Sequence, residues 1–121
     1  MTQNEKDILL IDICARLPYR VKVKFEYVIT SPAEIIGINK FFIECEDVSA
    51  DIEDVKPYLF PLSSMTEEQK EEHKDLLDNQ YSFDANGSIF TLQDFYNKNH
   101  LDYRGLIPLG LAIDATGLNI Y

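Results

Sequence analysis

Polar and apolar positions along this chain follow two different periods. Between residues 4 and 17, Leu10, Ile13, Cys14 and Leu17 recur at helical spacing and Leu9 widens the stripe, while Glu5, Asp12 and Arg16 fall on the opposite side. The pattern predicts a core-packing helix over 4–17, with Thr2 and Asn4 as candidate caps. Pro18 stops it, because the residue before a proline is pushed out of helical backbone. From 20 to 29 the period becomes two: Val21, Val23, Phe25, Tyr27 and Ile29 face one way and Arg20, Lys22, Lys24 and Glu26 the other, as in a half-buried strand. A second extended stretch runs from Glu34 to Asp47 and bends or bulges over Gly37–Lys40, with Phe41, Ile43 and Cys45 toward the core. Antiparallel pairing of these two stretches would set Lys22 and Lys24 across from Glu44 and Glu46.

The second half is marked by local signals. A helical turn near 51–55 precedes an extended segment between Pro57 and Pro61, anchored by Tyr58 and Phe60. Thr66-Glu67-Glu68-Gln69 is a capping box that opens a polar surface helix to about Leu77 or Asp78, with Leu76, Leu77 and Met65 as its apolar contacts. Tyr81–Phe83 and Ser88–Phe90 flank Asn86-Gly87 and predict a small hairpin. Thr91–Asp94 repeats the capping box and starts a helix to about Lys98 that buries Leu92, Phe95 and Tyr96. Asp102 then caps a last helix over about 106–115, ending at Gly117. The elements sum to one α+β domain spanning 1–121: an N-terminal helix, an antiparallel sheet of about three to five strands, and helices mainly on one face.

Composition narrows the function classes. With 121 residues, 45% of them hydrophobic, the chain can build its own core without disulfide or metal staples. Cys14 and Cys45 read as reduced core thiols, and Met1–Asp7 lacks the basic region of a secretory signal. The apolar run Ile8–Ile11 ends at Asp12, far short of the ~18 residues a membrane span needs, so a cytoplasmic protein without membrane association is expected. The net charge of −10 opposes nucleic acid and anionic membranes as partners. That charge is localised: residues 41–84 carry thirteen acidic and three basic side chains, and the flanks are nearly neutral.

Candidate chemistry is sparse. Cys14, Cys45, His73 and His100 lie 31, 28 and 27 residues apart, without the short ligand spacing of a zinc site. Asp84, Asn86 and Ser88 imitate the start of a calcium loop, but the glycine falls at position four and Phe95 at position twelve, so a turn explains them better. No cofactor is called for. His100, Asp102 and Arg104 are the densest mix of proton-transfer and anion-binding types, and they define an alternative reading as a small hydrolase or phosphate-handling enzyme. Arg20, Lys22 and Lys24 define a second alternative, weak nucleic-acid binding along a basic strand face. The preferred reading is a non-catalytic accessory protein that docks a basic protein partner through its acidic region, residues 44–78, with Glu67, Glu68, Glu71 and Glu72 as the contact carboxylates.

Three segments, Cys14–Tyr19, Lys56–Glu68 and Leu101–Ala112, resemble a family of small proteins without assigned activity that gut anaerobes and their phages and prophages carry. The resemblance spans most of the chain. It implies a mobile-element setting, and with it an accessory or host-interaction role in preference to metabolism.

Overall fold

Thr2 starts the first helix as the pattern anticipates. Its hydroxyl accepts from Glu5 N at 3.2 Å and Glu5 Oε1 accepts from Thr2 N at 3.0 Å, closing a capping box at the head of α1, Gln3–Arg16. The computed structural model describes residues 1–25, 32–38, 42–45 and 49–121. The helix presents a different face from the one expected. Leu9, Asp12, Ile13 and Arg16 are the fully buried positions, an i, i+3, i+4, i+7 row, whereas Leu10, Ile11 and Cys14 point outward. The apolar stripe is thus turned aside by one polar pair that goes inside. Cys14 is consequently an exposed thiol, while Cys45 is buried and its thiol is pushed up to about 11 by that burial.

Strand β1, Lys22–Phe25, alternates as predicted, with Val21, Val23 and Phe25 inside and Lys24 outside; Tyr27 and Ile29 lie outside the described residues. The next stretch is two strands rather than one: β2, Ala33–Ile38, pairs antiparallel with β3, Ile43–Cys45, and a bulge falls between Ile35 and Gly37. Ile43 and Cys45 face the core, and Phe41 lies outside the described residues. Strand β1 is not next to β3. Its neighbours are β2, which sets Lys22 against Glu34, and β5, Val55–Leu59, which sets Lys24 against Lys56. The expected pairing of Lys22 and Lys24 with Glu44 therefore does not form, and Glu46 lies outside the described residues.

Among the described residues the sheet has six strands in the order β4-β3-β2-β1-β5-β8, counting the two-residue β4, Ser49–Ala50, and β8, Ile113–Asp114. It is mixed, because β8 runs parallel to β5. Two-residue strands carry too little periodicity to be read from a pattern, which is why fewer strands, all antiparallel, were expected. The 3-10 turn Ile52–Asp54 matches expectation and delivers the chain to β5, where Tyr58 is buried.

The predicted last helix is absent. Residues 106–112 form turns, and Gly105 and Gly110 take left-handed backbone at φ 75° that helical residues do not adopt. Pro108 supplies no amide to a helical ladder. Asp102 still acts as a cap, but of a turn: its Oδ1 accepts from Leu106 N at 2.8 Å and its Oδ2 from Ile107 N at 2.9 Å. The chain then returns to the sheet edge as β8.

Helix α2, Glu67–Asn79, is opened by Thr66 and Gln69, and helix α3, Leu92–Lys98, by Thr91 and Asp94, each through a complete capping box. Between them β6, Tyr81–Phe83, and β7, Ile89–Thr91, form the hairpin predicted around Gly87, which sits at φ 81°. Asp84 Oδ1 fastens the turn by accepting from Asn86 N and Ser88 N, both at 2.9 Å. The helices feed two hydrophobic clusters. Leu9 and Ile13 of α1 join the sheet core, while Leu76 of α2 and Phe95 of α3 build a second cluster with Leu101 and the partly buried Phe60, Phe90 and Tyr96.

Asp102→Ala would leave two amides of the 106–107 turn without their charged acceptor. The expected loss is about 2–4 kcal/mol of stability, read as a lower urea midpoint with an unchanged denaturant slope.

Candidate functional site

Burying α1 by its Asp12–Arg16 row forces both charges out of water, and the surroundings compensate all but Arg16 Nη1, which is buried without a hydrogen-bond partner. Arg16 Nε and Nη2 donate to the two Asp12 oxygens at 2.9 and 3.0 Å, an in-plane fork on carboxylate with both side chains at 0% exposure. Arg16 Nη2 also donates to Leu101 O at 2.6 Å, and Arg104 Nη1 reaches Asp12 Oδ1 at 2.8 Å. The Tyr103 ring lies 4.4 Å from the Arg104 guanidinium carbon and 5.5 Å from that of Arg16, and its other company is Tyr96, stacked at 4.9 Å. Two guanidiniums thus share one carboxylate, and an aromatic face absorbs part of the excess positive charge.

This arrangement decides what His100, Asp102 and Arg104 do. Arg104 is committed to Asp12, and both oxygens of Asp102 are committed to the 106–107 amides. His100, in left-handed backbone at φ 56°, stacks on the Tyr121 ring at 3.6 Å and 10°. Burial, reinforced by the Arg16 and Lys22 charges, pushes its imidazole down to about 4, so it is neutral near pH 7. Among the described residues, no hydrogen bond or ion pair links the three, although they lie within five positions of one another. A small cleft of about 140 Å³ opens nearby between Phe60, Ser64, Thr66 and Gln69 on one side and Asn99 and Leu101 on the other. It is below the roughly 300–1,000 Å³ of a drug-sized ligand site, and Gln69 Nε2 already donates across it to Asn99 Oδ1 at 3.2 Å.

The basic stripe is likewise largely engaged. Arg20 pairs with Glu34 at 3.1 Å, and Lys22 Nζ donates to Ile120 O at 2.9 Å while lying 5.9 Å from the Tyr121 ring centre. Lys22 N donates to the Tyr121 hydroxyl, which itself donates to Tyr58 O, both at 2.9 Å. Lys24 is exposed and stands opposite Lys56 in the sheet. Among the described residues no group of three or more His, Cys, Asp and Glu side chains is placed to hold a metal, and no helix is long and apolar enough to cross a membrane.

The acidic helix is the strongest remaining feature. On α2 the buried side is held by Leu76 and by His73, which packs on Phe95 and Tyr96 and hydrogen-bonds the Tyr96 hydroxyl at 2.8 Å. Glu67, Glu68, Glu71 and Glu72 are all exposed, as are Asp75 and Asp78. At 100° per residue these six carboxylates fall on one arc of about 140°. Lys70 and Lys74 sit together on its flank, where Lys70 reaches Glu67 at 3.3 Å. The neighbouring hairpin adds Tyr81, Phe83 and Ile89, all exposed and none of them among the residues expected to form a site. Their signal was present: apolar residues on both faces of a two-stranded ribbon, only one of which can meet a core. No protein-family model, curated protein or solved structure matches this chain.

Two measurements check the buried centre. Arg16→Met should destabilise the protein by about 3–5 kcal/mol, whereas Asp12→Leu combined with Arg16→Met should cost clearly less than the two single changes added together. His100 has its folded pKa below the ordinary 6.5, so the unfolded chain takes up a proton that the folded one refuses. The resulting stability is whole above pH 6.5 and is lost as pH falls toward 4. His100→Asn, which tolerates left-handed backbone, should remove that slope, so the stability gap between the unaltered protein and the variant narrows as pH falls from 6.5 toward 4.

Proposed function

We propose that this protein is a non-catalytic accessory protein that binds a basic protein partner through its acidic region, residues 44–78, with the exposed face of α2 at its centre. The observation that carries this reading is the carboxylate arc on α2, formed by Glu67, Glu68, Glu71 and Glu72 with Asp75 and Asp78 and joined near its end by the neutral Asn79. Most surface charge is interspersed in sign; here the two lysines are set to one side and leave a concentrated negative field. Such a field steers a cationic partner and sets orientation more than it supplies affinity. The engagement of Arg104 by Asp12 and of Asp102 by backbone amides favours this reading over chemistry at His100, Asp102 and Arg104. A phage- or prophage-associated setting is part of the proposal and is supported by the resemblance of Cys14–Tyr19, Lys56–Glu68 and Leu101–Ala112, and a cytoplasmic one by the residue pattern of Met1–Asp7 and the short apolar run Ile8–Ile11.

Reversing Glu67, Glu68, Glu71 and Glu72 to Lys should abolish capture of basic proteins from a bacterial lysate at low salt. Raising ionic strength should do the same to the unaltered protein, since screening shortens to about 3 Å at 1 M. Recovery of the same proteins by both forms would overturn the proposal.

A further inference from the structure

Strands β6 and β7 pair only with each other among the described residues, apart from the six-stranded sheet. The ribbon has an inner and an outer side. Phe90, opposite Ser82, turns inward to the second core cluster, while Tyr81, Phe83 and Ile89 project from the other face. Phe83 and Ile89 are cross-strand partners, each 63% exposed, and the Tyr81 and Phe83 rings meet edge to face at 5.7 Å. These side chains hold one another in place, so little freedom remains to be lost when something covers them. Leu77, near the end of α2, is also 55% exposed. Contiguous apolar surface of this kind on a small protein marks an interaction site.

Charge identifies the occupant. Between Lys74 and Lys98 the chain carries Asp75, Asp78, Asp84 and Asp94 and no Lys, Arg or His. The apolar face therefore lies in a predominantly acidic stretch that follows the α2 arc, with Lys98 set on the other side of the ribbon over Phe90 and with Asp84 and Asp94 also holding local backbone amides. A second copy of the chain would bring like charges together, and nucleic acid or an anionic membrane would be repelled. We infer that the outer face of the β6–β7 hairpin anchors a cationic amphipathic segment of a partner protein, whose apolar side chains cover Tyr81, Phe83 and Ile89 while its Lys and Arg side chains face the surrounding carboxylates. The inference rests on the partner-docking reading of α2 and divides the labour: the carboxylates draw the partner in, and the hairpin holds it.

The test uses the full chain and two synthetic peptides of equal length and charge, one Leu/Lys and one Ser/Lys, by titration calorimetry at low salt. The unaltered protein should bind the Leu/Lys peptide at least about tenfold more tightly. Phe83→Ser with Ile89→Thr should remove that preference and leave the Ser/Lys affinity unchanged. Ile89→Thr alone, which keeps a β-branched strand residue, should reduce the preference about threefold. Equal affinity for both peptides, a preference that survives the double substitution, or binding of neither peptide would overturn the inference. So would self-association in sedimentation, or binding to neutral phosphatidylcholine vesicles, that the double substitution abolishes. Reversal of the four α2 glutamates separates the two ideas: if it weakens both peptides equally while the unaltered protein shows no preference, the hairpin anchor fails and the acidic surface stands. If it changes neither affinity while the preference persists, the acidic surface fails and the anchor stands.

Discussion

A carboxylate and a guanidinium removed entirely from water constrain most of what surrounds them. Asp12 and Arg16 sit one helical turn apart, and neither is tolerable in the interior without the other. Once α1 rolls this pair inward, further partners for Arg16 Nη2 and Asp12 Oδ1 come from the segment that crosses above it, while Arg16 Nη1 stays unpaired. That segment is 101–104, which gives the Leu101 carbonyl and the Arg104 guanidinium. Its path then places Tyr103 between Tyr96 and the two arginines, and Asp102 where it can hold the following turn. Leu101 belongs to the second core and Leu106 to the sheet core, so the ion cluster is also the seam between the two hydrophobic clusters.

The same organisation sorts the charges of the molecule. Arg16, Arg104, Arg20 and Lys22 each have a partner built into the fold, in Asp12, Glu34 or the Ile120 carbonyl. Positive charge is spent on architecture. The carboxylates of α2 have no comparable structural duty, since that helix is attached through Leu76, His73 and its capping box. A net charge that composition gives as one number is therefore divided into a paired interior and a surface on which carboxylates outnumber the lysines of α2.

Features that depend on neighbours in sequence were legible beforehand. The capping boxes at Thr66 and Thr91, the hairpin around Gly87 and the alternation of Val21, Val23 and Phe25 all follow from residues within a few positions of each other. The orientation of α1 did not, because periodicity alone ranks Leu10 and Cys14 above Asp12 and Arg16. The groups that make the polar row the better one to bury lie more than eighty residues away. For the same reason the stretch after Asp102 resembled a helix: its leucines have suitable spacing, but the Gly105 and Gly110 backbone and the parallel pairing of β8 with β5 decide against it. At the candidate surface, the α2 carboxylates could be read from the chain; the apolar hairpin face required knowing which side of the ribbon meets Phe95 and Leu76.

The distance in sequence between Arg16 and Leu101 also bears on how the chain matures during synthesis. A ribosome adding about 5–20 residues per second exposes α1 for several seconds before residues 101–104 emerge. Throughout that interval the helix has no acceptor for Arg16 beyond Asp12 and no place for Leu9 and Ile13 except incomplete sheet. Strand β5 waits equally for β8, and Lys22 for Tyr121. The segments up to Leu59 are thus held open until their complement in residues 101–121 arrives, which makes emergence of that later stretch the event that commits this fold.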